Sequence, residues 1–289
     1  MTGRRIVVGV DGSQASADAL GWAAREAALT GAKVQAVHAW CYPALTYAHG
    51  LVAPPIFAKE DFEEEARAIL DSTLATLADD GSASIERVVV EGGATDVLVD
   101  HSRGADLLVV GHRGRGGFLA LHLGSIALQC AQHAACPVVV VRPGAPSASS
   151  ERQRRVVVGV DGSEPARRAL LWAADEARLR HATLEIVHCW HPRMGLPVGP
   201  AVSATDRASL EAAAHAVVAT AMQGVDNRLP HVESILVDGP AASALLEASA
   251  GAELVVVGTR GHGGFAGLLL GSVSTQVLHH AQCPAVIVR

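Results

Sequence analysis

Two stretches of the chain have the residue types to hold an anion: 111-GHRGRGGFLALHLGS-125 and 258-GTRGHGGFAGLLLGS-272. Both follow an apolar run and obey the spacing Gly-x2-Gly-x9-Gly-Ser. The residues are Gly111, Gly114, Gly124 and Ser125 in one, and Gly258, Gly261, Gly271 and Ser272 in the other. Glycine allows positive φ and lets backbone N–H groups approach an anion closely. A Gly-Ser that opens a helix adds the free amides and positive dipole end of a helix N-terminus, together with a hydroxyl. Such a loop can hold a polyphosphate. It is not a Walker A loop, because GxxxxGK[ST] needs a lysine and neither stretch has one. Nor is it the dinucleotide fingerprint, since no helix opens directly behind Gly114-x-Gly116-Gly117. One glycine loop is a weak signal, but the same spacing twice, behind matching runs, is a strong one.

Other candidates fall into place around these loops. Asp11 and Asp161 each end an apolar run in the string VGVDGS and are the acidic groups expected near the loops. Ser13 and Ser163 read as helix caps. Arg113, Arg115 and Arg260 could pair with phosphate oxygens through their guanidinium groups. His112 and His262 read as solvated loop residues. His38 and His188 lie inside apolar runs and read as hydrogen-bonded structural histidines, and Trp22, Trp40, Trp172 and Trp190 as packing residues. His279 and His280 are adjacent on a predicted helix and point about 100° apart, so no metal site is expected there. No nucleophile elbow or paired-carboxylate arrangement stands out. Hydrolysis of a bound ATP would need a positioned water and charge neutralisation, usually by Mg²⁺, so the sequence points to little catalysis.

The elements that position these residues come as a repeat. RIVVGVDGSQASADALGWAAREAAL starts at Arg5 and RVVVGVDGSEPARRALLWAADEARL at Arg155, an offset of 150 that also relates Asp11 to Asp161 and His38 to His188. From the glycine loops onward the offset is 147, so the second copy is three residues shorter in its middle. The Pro- and Ser-rich stretch 143-PGAPSASSERQ-153 reads as a linker, giving domains at 1–143 and 154–289. In the first copy the patterns predict strands at 6–10, 33–40, 85–92, 105–111 and 137–142. Helices are expected from 14 to about 29, over 59–78, 95–103 and 125–134, with a proline-containing loop at 41–58. The second copy repeats the order: 156–160, 164–180, 183–190, 207–223, 232–238, 241–250, 253–258, 272–281 and 284–289. Strands alternating with helices imply α/β domains, each with a doubly wound, five-stranded parallel sheet. Ligands of such sheets sit beyond the strand carboxyl ends, where the strand order reverses. If strands one and four are neighbours there, Asp11 and Gly111 converge on one crevice, and Asp161 and Gly258 on another.

The 289 residues carry a formal net charge of −6, which argues against a general nucleic-acid binder. No apolar run approaches the roughly 18 residues of a membrane span, and the first residues do not resemble a signal peptide. Five cysteines without a CxxC pair fit a reducing cytoplasm, and Cys136 and Cys283 read as buried hydrophobes. The apolar closing strands PVVVVR and PAVIVR invite edge pairing, which predicts packing of the two copies on each other and a homodimer of the chain.

Together, VGVDGS, the Gly-x2-Gly-x9-Gly-Ser loop and the closing CPVVVVR or CPAVIVR resemble the universal stress protein family in its tandem, ATP-binding form, over nearly the whole chain twice. The resemblance implies a cytoplasmic, Rossmann-like fold of the adenine nucleotide alpha hydrolase kind, binding ATP with Mg²⁺. It implies adenosine contacts at Val10, Asp11, Gly12 and Ala39, and at Val160, Asp161, Gly162 and Cys189. It implies phosphate contacts at Gly111, Gly114, Gly124 and Ser125, and at Gly258, Gly261, Gly271 and Ser272. Similar proteins carry a further hydroxyl two residues after that serine. The second copy has it as Ser274 and the first has Ala127, which favours the second copy for polyphosphate. The expected role is a nucleotide-dependent stress-response regulator acting through a protein partner. A slow ATPase or nucleotidyl-transfer enzyme, and an interaction module that binds no nucleotide, remain as alternatives.

Overall fold

The β-branched runs ahead of each Asp-Gly-Ser become central strands. A computed structural model describes residues 3–42, 45–46, 52–53, 58–77, 85–115, 123–142, 154–190, 204–225, 231–262 and 269–289. The chain divides into two compact units, Met1–Val141 and Arg142–Arg289. Unit 1 runs β1 (Arg5–Gly9), α1 (Gln14–Thr30), β2 (Lys33–Trp40), β3 (Leu45–Thr46), β4 (Val52–Ala53), α2 (Lys59–Leu74), β5 (Ile85–Glu91), α3 (Ala94–His101), β6 (Leu107–Gly111), α4 (Ser125–His133) and β7 (Val138–Val141). Unit 2 repeats the plan as β8 (Arg155–Gly159), α5 (Glu164–Arg180), β9 (Thr183–Trp190), α6 (Ala204–Ala221), β10 (Val232–Asp238), α7 (Ala241–Ala248), β11 (Leu254–Gly258), α8 (Ser272–His280) and β12 (Ala285–Val288).

Unit 1 has the parallel strand order β7-β6-β1-β2-β5, and unit 2 the order β12-β11-β8-β9-β10. In unit 1 the chain leaves β1 for β2 and β5 on one side, then crosses to β6 and β7 on the other. The order therefore reverses between β1 and β6, which pair directly with Ile6 opposite Leu107. Unit 2 reverses in the same way between β8 and β11. The stretch 41–58, expected as a loop, includes the short antiparallel pair β3–β4.

The central strands are covered on both faces, so they read as unbroken apolar runs. Val7, Val8, Leu108, Val109, Val138 and Val139 have no exposed surface, and neither do Val156–Val158 in unit 2. Helix α1 meets this sheet through small residues, Ala19 and Ala23, with Leu20 between them. Small contacts bring the helix close to the strands, and that closeness shapes the crevice. The α1 start is fixed by Ser13, whose side chain accepts the Ser16 N–H. Its end turns at Gly31, where φ is 69°. The cysteines Cys136 and Cys283 are buried as apolar groups.

Candidate functional site

At the switch point of unit 1 the chain leaves β1 through Val10, Asp11 and Gly12. Gly12 sits at φ 78°, a conformation that favours glycine. The turn directs the Asp11 carboxylate toward the loop after β6. Its Oδ1 accepts the Ser13 N–H (3.0 Å) and the Ser13 hydroxyl (2.6 Å), and its Oδ2 accepts the Arg115 N–H (2.8 Å). Burial pushes this carboxyl up. The hydrogen bonds from the Ser13 hydroxyl, the Ser13 amide and the Arg115 amide outweigh it and hold Asp11 below the ordinary aspartate value. The Ser16 side chain lowers it further. Val10 is engaged by its backbone: its N–H donates to Val37, and its carbonyl accepts His38 Nδ1–H at 2.7 Å.

Two glycines of the loop stand where a Cβ would crowd a neighbour. A Cβ on Gly111 would lie 2.6 Å from the Ala15 carbonyl oxygen, so β6 ends against the first turn of α1. A Cβ on Gly114 would lie 2.4 Å from Asp11 Oδ2. Gly124 is the N-cap of α4, and its N–H donates to the His112 carbonyl (2.8 Å). The first amides of a helix have no partner within it. Those of α4 belong to Ser125, Ile126 and Ala127, all of which line a crevice of about 510 Å³.

That crevice is walled by Val10, Asp11, Ala39, Gly111, Gly114, Gly124 and Ser125, so seven of the expected residues meet in it. Val37, Ala94, Leu98, Leu123 and Ile126 add an apolar side, and Arg113 and Arg115 add two cations. The Nε of Arg113 is buried there with no hydrogen-bond partner among the described residues. A buried unpaired donor of this kind is costly unless an incoming acceptor meets it.

Unit 2 repeats the arrangement. Gly162 has φ 85°, and Asp161 accepts the Ser163 N–H (2.9 Å) and the His262 N–H (3.0 Å). Burial raises this carboxyl too, and hydrogen bonds from Ser163 and His262 again bring it below the ordinary value. A Cβ on Gly261 would lie 2.0 Å from Asp161 Oδ2, and one on Gly258 2.7 Å from the Pro165 backbone. His188 Nδ1–H donates to the Val160 carbonyl at 2.7 Å. Gly271 caps α8, with Ser272 as its first residue.

A model of the universal stress protein family matches residues 3–142 and, a second time, residues 153–289. The chain belongs to the universal stress protein family. A universal stress protein of Mycobacterium tuberculosis is 32% identical over 98% of this chain and 96% of its own length. One of Mycolicibacterium smegmatis is 33% identical over the same shares. The crystal structure of a universal stress protein from Archaeoglobus fulgidus shares the fold, with a TM-score of 0.66 and 17% identity, covering 100% of this chain and 99% of that one.

In this universal stress protein one expected phosphate donor is turned away. Ser274 is buried, and its hydroxyl donates to the carbonyls of Gly258 (2.7 Å) and Thr259 (3.2 Å). A serine has one proton to give, so this hydroxyl is spent on the end of β11. The expected advantage of unit 2 at this position is not supported, because Ser274 and Ala127 both serve as buried packing positions. Cys189 is half-buried at the position of Ala39, and burial pushes its thiol up to about 11.

Two features were not foreseen from the sequence. One is the apolar wall from α3: Ala94 and Leu98 are four residues apart and so share a helix face. The other is a cation at the start of the helix after β2 or β9. Lys59 Nζ lies 5.9 Å from the Trp40 ring centroid, and the Arg207 guanidinium 5.3 Å from that of Trp190. The repeat of both tryptophans at an offset of 150 was the available signal. Among the described residues no group of three or more His, Cys, Asp or Glu is arranged to hold a metal ion, and no helix is long and apolar enough to cross a membrane.

Proposed function

We propose that this universal stress protein binds an adenine nucleotide in each unit, with the phosphates against the glycine loop and the α4 or α8 N-terminus, and acts as a regulator rather than a catalyst. The observation that carries the reading is a 510 Å³ crevice walled by Arg113, Arg115, the loop glycines and the start of α4, with an Arg113 Nε that has no hydrogen-bond partner among the described residues. A polyphosphate supplies the acceptor that this guanidinium lacks and a charge suited to the helix end. The apolar side, with Val37, Ala39 and Leu98, suits a flat base. ATP, bound with Mg²⁺, is the nucleotide we propose, its base on the apolar side and its phosphates on the loop.

Little turnover is expected, because each aspartate is already tied to backbone amides and is held below the ordinary value, which makes it a poor base. Output would come from a conformational preference that nucleotide shifts and a protein partner reads.

The test is to purify the protein without added nucleotide, denature it, and run the released small molecules on ion-exchange chromatography beside ATP, ADP and AMP. Adenine nucleotide, or uptake on adding Mg-ATP, supports the reading. The absence of both would sink it. Gly261→Val should then remove binding from unit 2 while unit 1 still binds. A turnover assay separates this reading from a slow ATPase.

A further inference from the structure

Both loops fold the residue after their second glycine back over the Asp-Gly turn. In unit 1 that residue is Arg115. Its guanidinium carbon and Nη1 each lie 3.5 Å from where a Cβ on Gly12 would stand, and Arg115 lines the crevice. In unit 2 it is His262, whose Cε1 lies 3.7 Å from the same point on Gly162. Each backbone N–H makes the equivalent bond to its aspartate, at 2.8 Å and 3.0 Å, so the two side chains start from matching positions. Arg113 and Arg260 match by sequence, so each loop also carries one arginine between its first two glycines. The loops also differ at His112 and Thr259, but His112 is not among the residues that wall the unit 1 crevice, so what differs beside the aspartate is the charge of this one group. Arginine stays protonated at every accessible pH, whereas an imidazole changes charge between about pH 5 and 8. Ser274, which would have tilted the comparison toward unit 2, donates to carbonyls instead.

Resting on the nucleotide reading above, we infer that the two crevices are unequal: unit 1 holds polyphosphate through two permanent cations, and unit 2 is a weaker site that tightens when His262 is protonated. Among the described residues, the charged groups around His262 are two. Asp161, from the β8–α5 turn, has Oδ2 3.9 Å from His262 Nδ1. Arg260 is exposed two residues earlier in the same loop. Helix α6 brings an apolar neighbour, Val217, to the Gly162 turn. A bound polyphosphate adds negative charge, so it binds the protonated form better. By linkage, affinity at this site rises as the pH falls.

The full chain is titrated with Mg-ATP by calorimetry at about pH 8 and about pH 5.5, and the ratio of the two sites' affinities is followed. The ratio cancels ATP's own titration, which both sites feel alike. Wild type should favour unit 1 at the higher pH, and the ratio should shrink by up to about fivefold at the lower, as befits one largely exposed ion pair. His262→Arg should make the ratio independent of pH. Arg115→His should impose the pH trend on unit 1 as well. The double variant R115H/H262R keeps total composition while exchanging the behaviour of the sites, and so controls for folding. Two measurable sites whose ratio ignores pH, or a pH trend that survives His262→Arg, would overturn the inequality and leave nucleotide binding standing. No Mg-ATP binding at either pH would overturn both.

Discussion

Alanine substitutions at Gly111 and Gly114 separate the scaffold of the crevice from its working surface. At Gly114 the new Cβ would stand 2.4 Å from Asp11 Oδ2, the free end of a side chain that can rotate away. Rotation breaks the Arg115 N–H bond to that oxygen. A hydrogen bond to a charged group stabilises by about 1.5–3 kcal/mol. Asp11 is half-buried, and solvent screening reduces the loss to about 1 kcal/mol. At Gly111 the obstacle is backbone: the Ala15 carbonyl, 2.6 Å from the oxygen and 2.7 Å from the carbon. Helix α1 must shift away from β6, and overpacking of that kind costs up to about 3 kcal/mol. For a unit of this size the midpoint falls by roughly 3 °C per kcal/mol, so about 3 °C for Gly114→Ala against about 9 °C for Gly111→Ala. Scanning calorimetry on the full chain reads the stability. Isothermal titration with Mg-ATP reads the site, where Gly114→Ala should lower unit 1 affinity by at least about tenfold, because it displaces the carboxylate and the Arg115 amide together. If both variants lose the same stability, Asp11 is not free to move and the distinction is wrong. If Gly114→Ala leaves both affinities intact, the loop does not hold the ligand.

Three further outcomes follow from the same structure. Asp11 is held below the ordinary 3.8, so its contribution is present above that value and fades as the pH falls through the lower folded-state value. Asp11→Asn should therefore cost about 1 kcal/mol at neutral pH in urea unfolding, with the gap to wild type narrowing below pH 3.8; a gap that widens in acid contradicts this. Ser274→Ala should cost about 1 kcal/mol of stability and leave unit 2 affinity for Mg-ATP unchanged. Weaker binding would show that the hydroxyl turns toward phosphate. At about pH 7.5, iodoacetamide followed by peptide mass mapping should modify the exposed Cys41 first, while Cys189, Cys130 and Cys283 stay unmodified, since burial pushes these thiols up to about 11, 12 and 12. Fast labelling of Cys189 would mean that the thiol is more accessible than its half-buried position implies.

The parallel, doubly wound order was legible because β-branched runs such as Val7–Val8 and Val156–Val158 could only be strands buried on both faces, each followed by an amphipathic helix pattern. The convergence of Asp11 with the glycine loop was legible only on the condition that strands one and four are neighbours at the reversal, and β1 and β6 do pair there. What those residues do to one another was not legible. Nothing in VGVDGS says that Asp11 spends its oxygens on Ser13 and on an amide 104 residues away. Nor does Gly-Ser-Val-Ser say that the second serine, Ser274, faces inward. That depends on helix phase relative to the sheet: α8 buries Ser274, Val277 and Leu278 on one side, and the hydroxyl finds carbonyls there. His262 read as a solvated loop residue, and it is largely exposed. Its position over Gly162 depends on the loop's turn, which spacing alone does not specify.

The carboxylate bridge also sets the order in which the molecule can be made. In each unit it ties the end of the first strand to a loop residue more than a hundred positions later, 104 in one and 101 in the other. An emerging chain holds Asp11 early, but Arg115 and the α4 amides arrive only when most of the unit has been synthesised. Parallel pairing across such a separation must wait for a long loop to close. The crevice is therefore a late product of folding, and a half-made unit has no site with which to draw on the cell's pool of ligand. A compound that binds there acts on finished units and slows their opening, while the early stages of chain collapse proceed without it.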